Sequence, residues 1–151
     1  MATSKGELAI LQDEIIGSGA SAVVKRAVNK TTGEDYAVKI IKVTSKEARD
    51  IAMKELEIAQ QLEESPHLVK IEKIKVESLN HIYILMEFCN QGTLISQMKA
   101  RFNYFTEGEI YKLFCHLIKG YKVLYDAKVL HEDLKPENIL IRDGVYKIAD
   151  F

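Results

Sequence analysis

At 151 residues, 47% of them hydrophobic and 28% charged, the chain can form one ordinary domain or two small lobes and is too apolar to be a disordered segment. A formal net charge of −1 excludes a global field that would draw it to nucleic acid or to an acidic membrane. Cys89 and Cys115 have no C-x-x-C spacing, MATSKGE at the start has no signal-peptide core, and the longest apolar run, 82–86, is too short to span a bilayer; a reducing, cytoplasmic setting is expected.

In chain order, Leu8 to Ile16 reads as a strand entering the loose turn Gly17-Ser18-Gly19. Ala22 to Val28 is a second strand, Thr32-Gly33 a turn, and Asp35 to Val43 a third strand rich in β-branched residues. The period then changes. Ala48, Ile51, Ala52, Glu55, Ile58, Ala59 and Leu62 recur at helical spacing, with Ser45 placed as N-cap and Ser65-Pro66 as the stop. Val69 to Glu77 and His81 to Phe88 are two more strands around Leu79-Asn80, and Asn90-Gln91-Gly92 breaks the pattern. A short helix is predicted over Thr93 to Phe102. A long one, opened by Thr106-Glu107-Gly108-Glu109, carries the stripe Ile110, Leu113, Phe114, Leu117, Ile118, Tyr121, Leu124 and Tyr125. Last, Ile139 to Arg142 and Val145 to Ala149 flank Asp143-Gly144, a hairpin signal.

Three groups of residues carry chemistry. In GSGASAVV, 17–24, two glycines between strands let the backbone approach a ligand and aim N–H groups at phosphates; a flexible hairpin turn explains the same residues. No Gly-Lys-Ser/Thr follows, so it is not a Walker loop, and a strand rather than a helix follows, so it is not a dinucleotide fingerprint. In YAVKII, alternation puts Ala37, Lys39 and Ile41 on one face of the strand. Glu55 falls inside the apolar stripe of the next helix, where a carboxylate is costly unless paired. The simplest arrangement pairs it with Lys39, which can then bind phosphate as a point charge; Glu57, two positions on, points elsewhere. A solvated strand-edge lysine and a glutamate at the helix margin are the plainer alternative. In HEDLKPEN, 131–138, Asp133 can take a proton from a hydroxyl or orient it, and Lys135 can neutralise a transferring phosphoryl group. Asn138 offers a neutral oxygen to a metal ion, and Asp150, beyond the hairpin, a charged one. Pro136 stiffens the loop and leaves no room for a helix. A polar surface turn would explain the loop but not the hairpin that returns Asp150 directly before Phe151.

Together these motifs resemble the first part of a eukaryotic-type protein kinase, over about residues 10 to 151. GSGASAVV matches the glycine-rich loop, YAVK the lysine strand, Glu55 the following helix, HEDLKPEN the catalytic loop and Asp150-Phe151 the start of D-F-G. Lys135-Pro136-Glu137-Asn138 is similar to the Ser/Thr-specific loop. The resemblance implies an α+β, bilobal fold, with a five-stranded antiparallel sheet plus one helix followed by a truncated, mostly helical lobe. Residues 1–9 would be an extension, 10–88 the N-lobe, 89–92 the hinge and 93–151 a partial C-lobe. It implies ATP and Mg²⁺ as cofactors and a protein substrate with a Ser/Thr acceptor, without nucleic acid or membrane as partner; it leaves the regulatory partner open. Lys39 would hold the α- and β-phosphates and pair with Glu55, Asp133 would be the base, Lys135 would stabilise the transferred phosphate, and Asn138 and Asp150 would bind Mg²⁺. Gly17 and Gly19 would cover the phosphates. Ile16, Val24, Ala37 and Leu140 would sandwich adenine, with Met86 behind it and the backbone of Glu87 and Cys89 bonding it. His131 would pack as a structural histidine under the loop.

Two departures from the family pattern stand out. Glu132 occupies the middle of H-R-D, where the family's arginine pairs with a phosphorylated activation loop, and its carboxylate would oppose ionisation of Asp133 if the two side chains converge. The resemblance also stops at Phe151, which reads as a kinase fragment. Leu117, Ile118, Tyr121 and Leu124 of the long helix are expected to lose part of their cover, at roughly 1.5–3 kcal/mol for each large side chain left fully exposed. A nucleotide-binding pseudokinase and a pure interaction module are the alternative functions.

Overall fold

The computed structural model describes the backbone of residues 2–3, 6–19, 22–78 and 80–151, and the side chains of 9–11, 14–19, 22–50, 52–54, 56–57, 59–72 and 80–151. The chain divides into two compact units, Met1–Gln61 with Ile71–Phe88 and Leu62–Lys70 with Cys89–Phe151.

The first unit is an antiparallel sheet and one helix. Its strands are β1 (Ala2–Thr3), β2 (Gly6–Ser18), β3 (Ala22–Asn29), β4 (Asp35–Lys42), β5 (Ile71–Ser78) and β6 (His81–Glu87), in the order β1-β2-β3-β4-β6-β5. Among the described residues the sheet thus has six strands where five are predicted. The extra one is a two-residue edge strand inside the 1–9 segment, too short to show a period of two. The β3–β4 turn is built by Asn29, which is fully buried. Its Oδ1 accepts from Thr31 N at 2.9 Å and Thr32 N at 3.2 Å, and Gly33 takes a φ of +73° that only glycine adopts at little cost. One sheet face gathers Ala27, Tyr36, Val38 and Leu85, with Ile10, Ile40 and Tyr83 packed against them. The α-helix α1 (Lys46–Gln61) starts where expected, with Ser45 Oγ accepting from Ala48 N at 3.1 Å.

The second unit holds α2 (Leu94–Ala100), α3 (Glu107–Asp126), a 3₁₀ turn at Pro136–Asn138, and the hairpin β7 (Ile139–Arg142) and β8 (Val145–Ile148). Both helices open on capping boxes, Thr93 with Ser96 and Thr106 with Glu109. Proline at the first position of the 3₁₀ turn loses no hydrogen bond there, so a single turn fits where the sequence suggests no helix at all. Asp143 and Gly144 have φ of 50° and 75°, the backbone a two-residue hairpin needs.

Residues 62–70 belong with this unit because their backbone extends the hairpin: Ile148 N donates to His67 O at 2.9 Å and Val69 N to Ile148 O at 2.8 Å. The core is Leu94, Ile139, Ile141 and Tyr146, and a second cluster of Leu68, Leu124 and Ile148. Leu117 packs against both clusters, so neither it nor the fully buried Leu124 lacks cover, whereas Ile118 is 66% exposed and Tyr121 37%. Among the described residues no helix is long and apolar enough to cross a membrane.

Candidate active site

In the first unit the cross-strand register collects most of the expected nucleotide residues. Directly paired residues of antiparallel strands share a face. Gly17 pairs with Val24, Val24 with Lys39 and Lys39 with Ile84, making one row; Ala37 pairs with Met86 in the next. Lys39 is half-buried in a row that is otherwise apolar or glycine. A Cβ on Gly17 would touch Val24 Cβ at 3.6 Å, an ordinary contact, so this glycine is not forced by packing. Ile16 lies at a break in register, between the pairs Ile15–Lys25 and Gly17–Val24, and is 46% exposed. Gly19 N donates to Ala22 O at 2.8 Å, closing the turn whose tip, residues 20–21, lies outside the described residues. Glu55 lies on α1, but its side chain is likewise outside them, and so is its pairing with Lys39. Glu87 and Cys89, one at the end of each unit's segment, are buried.

In the second unit the structure brings Asp133, Lys135 and Asn138 together. Lys135 Nζ donates to Asp133 Oδ2 at 2.6 Å, and Asn138 Nδ2 donates to the same oxygen at 3.1 Å and to Asp133 O at 2.9 Å. The 3₁₀ turn makes this reach possible, with Asn138 N bonded to Lys135 O at 2.9 Å. Lys135 holds the Asp133 carboxyl below its ordinary range, chiefly through this hydrogen bond, and Asp133 in turn raises Lys135. Glu132 has a left-handed φ of 60°.

Asp150 is positioned by its neighbour. Ala149 N donates to Asn138 O at 2.9 Å, and the buried His131 ring bonds Ala149 O through Nε2 at 2.9 Å. His131 is therefore the structural histidine expected, tying the catalytic-type loop to the end of β8. Asp150 itself has a φ of 59°, a left-handed conformation that costs a non-glycine residue energy, though Asp less than most. Asn138 fits a magnesium ligand in kind: with its amide N–H groups turned to Asp133, its Oδ1 is the end directed away. The carboxylate of Asp150 is the charged oxygen donor such an ion requires. Leu140, on β7, is half-buried.

One set of positioning residues is not legible in the sequence. Asn90 Nδ2 donates to Asp143 Oδ1 at 2.8 Å and Asp143 N to Asn90 Oδ1 at 3.1 Å, while Gly144 N donates to Gln91 Oε1 at 2.6 Å. These bonds fasten the hairpin turn to the segment after Phe88. The Asn-Gln-Gly run signals a break in the pattern and nothing about its distant partner.

The chain belongs to the protein kinase domain family, whose model matches residues 10–151. It is 30% identical over 147 residues to the phosphorylase b kinase gamma catalytic chain, liver/testis isoform, of Mus musculus, covering 91% of this chain and 36% of that one. It is 35% identical over 147 residues to the probable serine/threonine-protein kinase fhkD of Dictyostelium discoideum, covering 91% of this chain and 19% of the relative. To human ribosomal protein S6 kinase alpha-2 it is 36% identical over 130 residues, 86% of this chain and 17% of the relative. The chain thus spans about a third or less of the length of these relatives.

Proposed function

We propose that this chain carries nucleotide-binding and catalytic residues of a serine/threonine protein kinase that transfers the γ-phosphoryl group of ATP to protein hydroxyls. The observation that carries the reading is the Asp133 carboxylate held by Lys135 and Asn138 on one oxygen. Asp133 accepts the proton of a Ser or Thr hydroxyl as that oxygen bonds to the γ-phosphorus and the bond to the β–γ bridging oxygen breaks, leaving ADP and a phosphoester. Lys135 offsets negative charge on the phosphoryl group in transit. Lys39, anchored by Glu55, holds the α- and β-phosphates beneath the backbone of Gly17 and Gly19. Ile16, Val24, Ala37 and Leu140 pack on adenine, with Met86 behind and the Glu87 and Cys89 backbone along its edge. Asn138 and Asp150 hold Mg²⁺, which when bound offsets phosphate charge. A reducing, cytoplasmic setting fits the two free cysteines.

The test is magnesium-dependent transfer from radiolabelled ATP to a Ser/Thr-rich protein such as casein. Incorporation is expected to fall at least ~10²-fold in Asp133→Asn, the scale of a lost general base. Equal incorporation by both proteins contradicts the reading. ATP binding without transfer also contradicts it and points to a nucleotide-binding regulator.

A further inference from the structure

Two histidines outside the candidate site face the outer edge of β8. Their rings lie 4.4 Å apart between centroids, tilted by 35°. His67, from the segment before β5, is buried and approaches the Tyr146 carbonyl through Nδ1 at 3.4 Å. His116, from α3, accepts the Tyr146 N–H on its own Nδ1 at 3.1 Å. These bonds fix the protons. A nitrogen beside a carbonyl must donate, so His67 carries hydrogen on Nδ1; a nitrogen that accepts an amide cannot carry one, so His116 is neutral with its hydrogen on Nε2. The two imidazoles therefore hold both backbone groups of one residue, next to the point where Ile148 N reaches His67 O.

The surroundings give a second proton nowhere favourable to go. Lys112 and Lys119 of α3 and Lys147 of β8 act on the rings, all of them positive, and the Tyr146 ring faces His116 at 5.9 Å. Burial lowers the basicity of both rings, the largest influence on each. The segment has little room to retreat and still bond: His67 O lies 2.6 Å from where a Cβ on Gly120 would stand.

We propose that the His67–His116 pair is an acid-sensitive latch on the outer edge of β8, which releases the Tyr146 amide when His116 takes a proton. His67 can keep donating from Nδ1 after protonation; its part is to add a like charge 4.4 Å from its neighbour. The strand that loosens runs directly into Ala149 and Asp150. In sign, a base with lowered affinity for protons in the fold contributes stability above its ordinary pKa of 6.5, and loses it as pH falls through the lowered value.

Amide hydrogen exchange and imidazole ¹⁵N shifts of the whole chain, read without reference to phosphoryl transfer, test this. The Tyr146 amide, corrected for intrinsic rate, is expected to lose protection severalfold as pH falls from about 7.5 to about 5.5. Val38, in the other unit, should hold steady over the same range. His116→Asn keeps an acceptor in the Nδ1 position without a titrating group and should flatten the Tyr146 profile. A wild-type Tyr146 amide equally protected at both pH values overturns the latch. So does a proton on His116 Nδ1 at about pH 7.5, which the wild-type shifts decide even if the variant does not fold.

Discussion

Asp133 and Lys135 stand two positions apart in an exposed loop, and their ion pair is worth little to folding but much to orientation. Because the lysine is the first cause of the lowered Asp133 pKa, Lys135→Ala should raise it, read by a carbon NMR titration of the carboxyl. An unchanged titration would mean that Lys135 does not hold this oxygen in solution. The pair is complete at neutral pH: Asp133 keeps it as pH falls to below its ordinary 3.8, and Lys135 keeps it as pH rises beyond 10.5. Gly120 is the other residue with a sharp consequence. Alanine is intrinsically the better helix former, but its Cβ would stand 2.6 Å from the His67 carbonyl, so Gly120→Ala should destabilise by about 1–3 kcal/mol in urea unfolding. At this scale the sequence names Asp133, Lys135, Asn138 and Asp150 from their chemistry. It does not show that Asn90 and Gln91 hold Asp143 and Gly144, because bonds across 53 positions leave no local pattern.

Among the elements, α3 was the most legible, since its start is written in Thr106 and Glu109. Thr106 Oγ1 accepts from Glu109 N at 3.2 Å, and Glu109 Oε2 accepts from Thr106 N at 2.8 Å. That backbone bond, then Arg101, brings the Glu109 pKa down to about 2, so the box should survive acid until well below pH 4.5 and open as pH falls through about 2. Thr106→Ala should cost about 1 kcal/mol of stability, measured by thermal unfolding. Strands β2 to β6 and the β7–β8 hairpin were equally readable from alternation and from Asp143-Gly144. What escaped were elements that are too short or that depend on distant partners: the two residues of β1, the single 3₁₀ turn, and the 67–69 backbone, whose place is set by Ile148.

For the molecule as a whole, burial rather than hydrophobicity sorts the residues of α3. Leu124 is fully buried and Ile118 is 66% exposed, although both belong to one apolar stripe. Leu124→Ala should cost ~2–5 kcal/mol, while Ile118→Ser should change stability by no more than about 0.5 kcal/mol; comparable losses would mean that both faces are covered in solution. The proposed function assigns Lys39 to the phosphates of ATP and Asp150 to Mg²⁺. Calorimetric titration with Mg-ATP tests it directly. Saturable, magnesium-dependent binding is expected, weakened at least about tenfold, or 1.4 kcal/mol, by Lys39→Met and by Asp150→Asn alike. Binding that ignores magnesium, or that both variants leave untouched, would contradict it.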